Sequence, residues 1–193
     1  MGVPARRFRR PAVACLLCLG FWPFGQGAYV PAEGWLAQEF MQRAWIGPPA
    51  SAGGPTSWPW AHTWPVARMV ARAGAVDLVV LAGGSDRTLA FGPGHLSASS
   101  LPGRRGNVVI AGHGNTHFRF LRDVEVGESV FVETVSGRRY EYVISGIDVV
   151  DSRRGSLVLD TERSMLTLVT SYPFEARTAA GTLRYVVTAE LAP

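Results

Sequence analysis

Three stretches carry side chains suited to acyl-transfer chemistry: AGHGNTHF (111–118), TLVTSYPF (167–174) and LRYVV (183–187). In the second, an apolar, β-branched run from Leu166 to Thr170 meets a turn at Pro173, and Ser171 stands at the junction. A hydroxyl at the end of a rigid strand is well placed for reactivity, but serine becomes a nucleophile only beside an oriented base. His113 follows the apolar run NVVIAG and lies between Gly112 and Gly114. Glycines let another chain approach closely, and an imidazole there fits a general acid or base as well as it fits a loop histidine packed on Phe118. Arg184 follows Ser171 by 13 residues. Strand alternation turns it either to solvent or into a barrel mouth. In a site, its permanent charge would stabilise developing negative charge.

Other chemistries fit less well. A Ser–His–Asp triad stays open, yet no G-x-S-x-G elbow surrounds Ser171. His113 and His117 have the four-residue spacing of helical metal ligands, but Gly114-Asn115 breaks any helix and no Glu follows His113. No metal and no cofactor are expected. All 19 basic residues are Arg, so Schiff-base lysines, Ser–Lys dyads and P-loop lysines are excluded. Cys15 and Cys18 sit in an apolar N-terminal run, and the rest of the chain has no thiol for a disulfide or a Cys-based zinc site.

Positioning these residues falls to a single domain with appendages, given 193 residues. Residues 66–193 hold 14 Arg against 13 acidic residues, so the basic excess belongs mainly to the N-terminus and nucleic-acid binding is not expected. That N-terminus carries Arg6, Arg7, Arg9 and Arg10 ahead of an apolar run from Ala12 to about Phe24. The pattern is an export signal. It reads as an uncleaved anchor with the arginines inside, the alternative being a signal peptide cut near Ala28. The expected division is a signal or membrane anchor over 1–34, a short helix (35–45) and Pro/Gly/Trp-rich linker to 65, and a β domain over 66–193. Trp58, Trp60 and Trp64 lie on an extended arm (58–69) whose Trp side chains are expected to cap the domain, the alternative being a membrane-interface aromatic cluster.

From Val66 onward short β-rich runs dominate: 76–82, 106–112, 128–135, 138–150, 166–170 and 183–191. VSG (135–137) makes a tight hairpin, and 118–124 is a short helix or a turn. Many short strands with glycine turns point to an all-β barrel or sandwich.

Taken together in this order, AGHGNTHF, TLVTSYPF and LRYVV resemble the three catalytic segments of sortases, the transpeptidases that anchor proteins to cell surfaces. SDRTLAFGPGH (85–95) and GNVVIAGH (106–113) bring the resemblance closest to the proteobacterial branch called class GN, over roughly residues 35–191. The resemblance implies a closed β-barrel of about eight strands with short helices, its site at one end, behind an N-terminal anchor in the inner (cytoplasmic) membrane. The domain would then face the periplasm. It implies catalytic roles for His113, residue 171 and Arg184, with Thr170 and Tyr172 binding substrate. The implied partner is an exported protein with a C-terminal LPxTG-like sorting signal, cleaved after Thr through a thioacyl enzyme that an amine resolves. Arg184 would stabilise the oxyanion, and protonated His113 would serve the leaving amine.

This chain departs from the pattern twice. The branch has Arg-Asp after the histidine, where this chain has Gly114-Asn115; the family has cysteine where this chain has Ser171. A thiol near pKa 8.5 ionises readily, whereas a hydroxyl needs a neutral base. A histidine serving as a charged acid is in the wrong state for that. The chain is therefore expected to be impaired in transpeptidation. The alternatives are a binding module that keeps the groove without catalysis and a slow serine hydrolase of the same fold.

Overall fold

The computed structural model describes residues 63–174 and 181–193, together with Trp45. The anchor (1–34), the linker (47–60) and, except for the helical Trp45, the helix expected over 35–45 lie outside the described residues. Eight strands form a closed barrel: β1 Pro65–Ala71, β2 Val76–Ala82, β3 Gly94–His95, β4 Gly106–Ala111, β5 Ser129–Thr134, β6 Arg139–Asp151, β7 Ser164–Ser171 and β8 Leu183–Leu191. Around the barrel the order is β1-β2-β3-β4-β7-β8-β6-β5, and β5 pairs back onto β1. The all-β closed barrel expected from the sequence is what forms.

The strands read from alternation recur with shifts of a residue or two at their ends. Two strands differ from expectation. Pro65–Ala71, which includes the C-terminal part of the expected arm, forms β1, which inserts between β2 and β5. Its inward positions are Ala67, Met69 and Ala71, two of them small, so its apolar alternation is faint. Trp64, just before β1, is 45% exposed, while Trp58 and Trp60 lie outside the described residues. Strand β3 is too short for any pattern; its pairing with β2 and β4 defines it. A helix not read from the sequence, α1 (Asp86–Phe91), starts where the Ser85 hydroxyl accepts a bond from the Thr88 N–H. That N-cap serine was the available signal. Residues 118–124 do form a short 3₁₀ turn, Arg119–Asp123.

The central pair is β4 and β7, which run parallel in the register Val108↔Leu166 and Ile110↔Leu168. These four side chains point into the barrel and are fully buried, as is Val187 of β8. Each contributes about 1.5–3 kcal/mol relative to an exposed side chain. The outer face of the same pair is covered too: the Asn107 side chain donates to the Val158 carbonyl and accepts from the Thr167 hydroxyl at 2.9 Å. Burial on both faces explains why VVI (108–110) is continuously apolar rather than alternating.

Candidate active site

Register decides which side chains meet. Along β7, Leu166, Leu168 and Thr170 face the interior, so Thr167, Val169 and Ser171 face outward. Strand β8 runs antiparallel to β7 with Ser171 directly opposite Arg184 and Thr170 opposite Tyr185. Directly opposed residues share a face, so Ser171 and Arg184 are outward neighbours at the rim. On the other side, the β4–β7 pairing reaches Ala111↔Val169 and is extended by the Gly112 N–H donating to the Val169 carbonyl at 3.1 Å. Continuing that register carries His113 to the level of Ser171. The three residues read as chemical candidates thus come from three adjacent strand ends on one rim.

The turn after His113 folds back tightly. The His113 carbonyl accepts from the N–H groups of Thr116 at 3.2 Å and Phe118 at 3.0 Å. Phe118 is fully buried and belongs to the core, and its backbone N–H bond to the His113 carbonyl ties the turn to that core. His113 and Ser171 are both half-buried, so each is partly open to solvent. The Arg184 guanidinium donates through Nη1 to the carbonyls of Gly181, at 2.7 Å, and Leu183, at 2.9 Å. Those two bonds hold the cation against the start of β8.

Beneath the rim the interior-facing residues form an aromatic floor. Tyr172 stacks on Tyr185 with centroids 6.1 Å apart, and Phe174 meets Tyr185 edge-on at 5.0 Å. Burial and then the neighbouring Tyr172 raise the Tyr185 phenol, so it stays neutral at ordinary pH. Thr170 is 2% exposed and its hydroxyl donates to the Gly112 carbonyl at 2.7 Å. Tyr172, half-buried at the edge of this floor, is the more accessible of the two positions read as substrate-binding. Tyr185 and Phe174 were not singled out from the sequence. The signal was present in the parity of Thr170, Tyr172 and Phe174 along one chain.

His117 lies close enough to His113 to feel its charge. Burial first, and the His113 charge second, lower the His117 pKa to about 4, so it is neutral across the physiological range. No cluster of three or more metal-ligating side chains occurs among the described residues.

A family model for the sortase domain matches residues 69–192 of this chain. Sortase D of Bacillus subtilis (strain 168) is 31% identical over 99 residues, which are 51% of this chain and 50% of that protein. The chain thus spans about half the length of the curated relative it matches. Among solved structures, a Clostridium perfringens Sortase D5 transpeptidase superposes with a TM-score of 0.65 at 20% identity, covering 84% of this chain and 99% of that chain. Sortase A from Corynebacterium diphtheriae superposes with a TM-score of 0.61 at 22% identity, covering 86% and 85%. At these identities the structural likeness is one of fold.

Proposed function

Because the chain belongs to the sortase family, we propose that it recognises an LPxTG-like C-terminal sorting signal on an exported protein and holds it at the rim where His113, Ser171 and Arg184 meet. Sortases are transpeptidases, and in this reading the acyl-transfer step is impaired by the serine at 171. The observation that supports it is the double register: Ser171 opposite Arg184 across β7–β8, and His113 one step past the end of the β4–β7 ladder. A carbonyl presented beside residue 171 would find a guanidinium on one side and an imidazole on the other. Arg184 would stabilise the oxyanion and His113 would transfer the proton to the leaving amine. Thr170, on β7, and Tyr172, just past its end, flank the reacting residue along the chain.

The hydroxyl is what limits the chemistry. A thiol can be ionised before substrate arrives, so its partner histidine is free to act as an acid. Serine must lose its proton during attack, which demands a neutral histidine in the same position. Ser171 therefore also favours a second reading, a sortase-fold binding module that captures sorting signals without processing them; a slow serine hydrolase is its catalytic counterpart. The chain has no Lys, so it offers no lysine amine of its own as acceptor.

The class GN assignment and the cellular placement belong to the same proposal. Four Arg before an apolar run support an inner-membrane anchor with the barrel facing the periplasm. Among the described residues no helix is long and apolar enough to cross a membrane, and the anchor segment lies outside them.

The test compares the chain with Ser171→Cys on a fluorogenic LPxTG-type peptide, with and without an added amine, following adducts by mass spectrometry. The expected result is peptide binding by both forms and an acyl adduct, dependent on His113 and Arg184, only with Ser171→Cys. Failure of both forms to bind across a panel of sorting peptides would sink the reading.

A further inference from the structure

The backbone ladder that holds β4 to β7 stops one residue short of His113. Its last bond joins the Gly112 N–H to the Val169 carbonyl, and beyond it the chain leaves the sheet for the 113–118 turn. We infer that Thr170 and Gly114 continue the ladder by other means and fix His113 relative to Ser171, so that both are positioning residues. The catalytic part of this inference rests on the proposed function; the positional part does not.

Two contacts carry it. First, the Thr170 hydroxyl, itself 2% exposed, donates to the Gly112 carbonyl at 2.7 Å. A side-chain donor thus supplies the next bond, joining the residue before His113 to the residue before Ser171. Buried carbonyls are almost always paired, and here the partner comes from the strand that ends in the candidate nucleophile. Second, the residue after His113 is seated on the end of β7 with no space for a side chain. A Cβ at Gly114 would lie 2.9 Å from Thr170 Oγ1, 3.1 Å from Phe174 Cδ1 and 3.3 Å from the Ser171 carbonyl oxygen. The last contact is with backbone, which cannot swing aside. On the other flank, a Cβ at Gly112 would fall 2.7–2.9 Å from the Phe118 ring. Neither glycine has a positive φ, so what each position demands is space rather than an unusual backbone angle. His113 is consequently held between two backbone segments pressed on buried neighbours, and its own side chain is left to face the rim.

A side chain at 114 must lift the turn from β7 and carry His113 with it. Loss of the hydroxyl at 170 frees the Gly112 carbonyl and loosens the same turn from below. Neither change alters the side chain of His113 or of Ser171; the Gly114 change presses on Ser171 only through its backbone carbonyl.

The test uses the full chain. Carbon–proton correlation spectra of the imidazoles report the position of His113, with His95, on β3, as internal reference. Gly114→Ala and Thr170→Val are expected to shift or broaden the His113 signal and leave His95 in place, while Thr170→Ser, which keeps the donor, restores the parent spectrum. A folded Thr170→Val with an unmoved His113 signal overturns the inference, even if Gly114→Ala does not fold. A second readout addresses chemistry. In a Ser171→Cys background, the pH profile of iodoacetamide alkylation at residue 171 is read by peptide mass spectrometry, which separates it from Cys15 and Cys18. Gly114→Ala and Thr170→Val are expected to move that profile towards the His113→Ala profile and to lower kcat about 10- to 100-fold with little change in KM. Should His113→Ala itself leave the profile unchanged, the acid–base reading of the site fails, and the imidazole spectra still decide the positional inference.

Discussion

The chain contains two Gly-His pairs on adjacent strands, Gly94-His95 on β3 and Gly112-His113 at the end of β4. As text they are nearly alike. In the fold they are opposites. His95 is 6% exposed, and its Nε2 reaches the Ser100 carbonyl at 2.9 Å and the Ser99 hydroxyl at 3.2 Å. The Ser99 hydroxyl already donates to the Leu96 carbonyl and accepts from the Val109 N–H. Both partners of the ring can therefore only accept, and Nε2 must carry the proton. His95 is a structural staple that fastens the 96–100 loop to β3. His113 has its backbone fixed and its ring at the rim, half-buried, on the same side as Ser171 and Arg184. A histidine clamped through its ring stabilises; among the described residues the His113 ring has no hydrogen bond, and the bonds in its neighbourhood run through backbone carbonyls.

The sharpest way to break this comparison is to exchange the two losses. With Ser171→Cys as the active reference, His113→Ala is expected to lower kcat/KM by about 10³-fold or more. Arg184→Ala is expected to cost about 10²- to 10³-fold. Arg184→Lys should recover little, since with Nη1 on two carbonyls the guanidinium still has Nε and Nη2 donors for an oxyanion, whereas an ammonium is a single donor centre. His95→Ala, assayed where it remains folded, should keep kcat/KM within about threefold of the reference. Peptide turnover assays check all four, and a collapse of activity in a folded His95→Ala would erase the distinction.

The same exchange read as stability has the reverse order. His95→Ala strips the donor from the half-buried Ser100 carbonyl and opens a cavity where the buried ring stood, a loss of about 2–4 kcal/mol. His113→Ala removes a half-buried ring and is expected to cost less than about 1 kcal/mol. Urea denaturation of the two variants measures the difference directly.

How much of this was legible beforehand differs by level. The strands with strong alternation, such as VDLVVLA and LRYVVTAEL, were readable because each has one face on a common core. Strand β1 was read as an arm because Ala67 and Ala71 give its inward face little apolar weight. Strand β3 exists only through its neighbours. The chemical candidates His113, Ser171 and Arg184 were identifiable by type and place, and register then brought them to one rim. What the sequence did not reveal was how they are supported. The role of Gly114 depends on a contact with β7 over 50 residues away in the chain, and the floor of Tyr172, Phe174 and Tyr185 depends on β8 being paired to β7 in one particular register. Non-local contacts of this kind leave no local pattern.

A third histidine sharpens the contrast through pH. His117 is lowered to about 4, by burial first and the His113 charge second. Its folded pKa thus lies below its unfolded value near 6.5, and the unfolded chain binds the extra proton between the two. This contribution is fully present above about pH 6.5 and is lost as pH falls towards 4. It amounts to at most about 3 kcal/mol, and to less where water reaches the ring. Denaturation midpoints measured between pH 7 and pH 4 should fall more steeply for the parent chain than for His117→Gln. Equal slopes would show that the ring is not desolvated as described.

The smallest expected effect isolates the cause of that shift. Among the described residues the polar contact of the His117 ring is between Nδ1 and the Thr116 hydroxyl at 3.4 Å, on the exposed side of the turn. At that distance and exposure a hydrogen bond contributes little, well under about 0.5 kcal/mol. Thr116→Val should therefore leave both stability and the His117 titration, followed by its imidazole proton shift, nearly unchanged. Burial does not depend on the hydroxyl, and neither does the His113 charge. If Thr116→Val moved the titration substantially, the hydroxyl would be holding His117 in its buried position, and His117 would join His95 as a histidine clamped through its ring. With no movement, the turn after His113 owes nothing to the Thr116 hydroxyl and is held by its backbone bonds, its packing and the Thr170 bond to the Gly112 carbonyl.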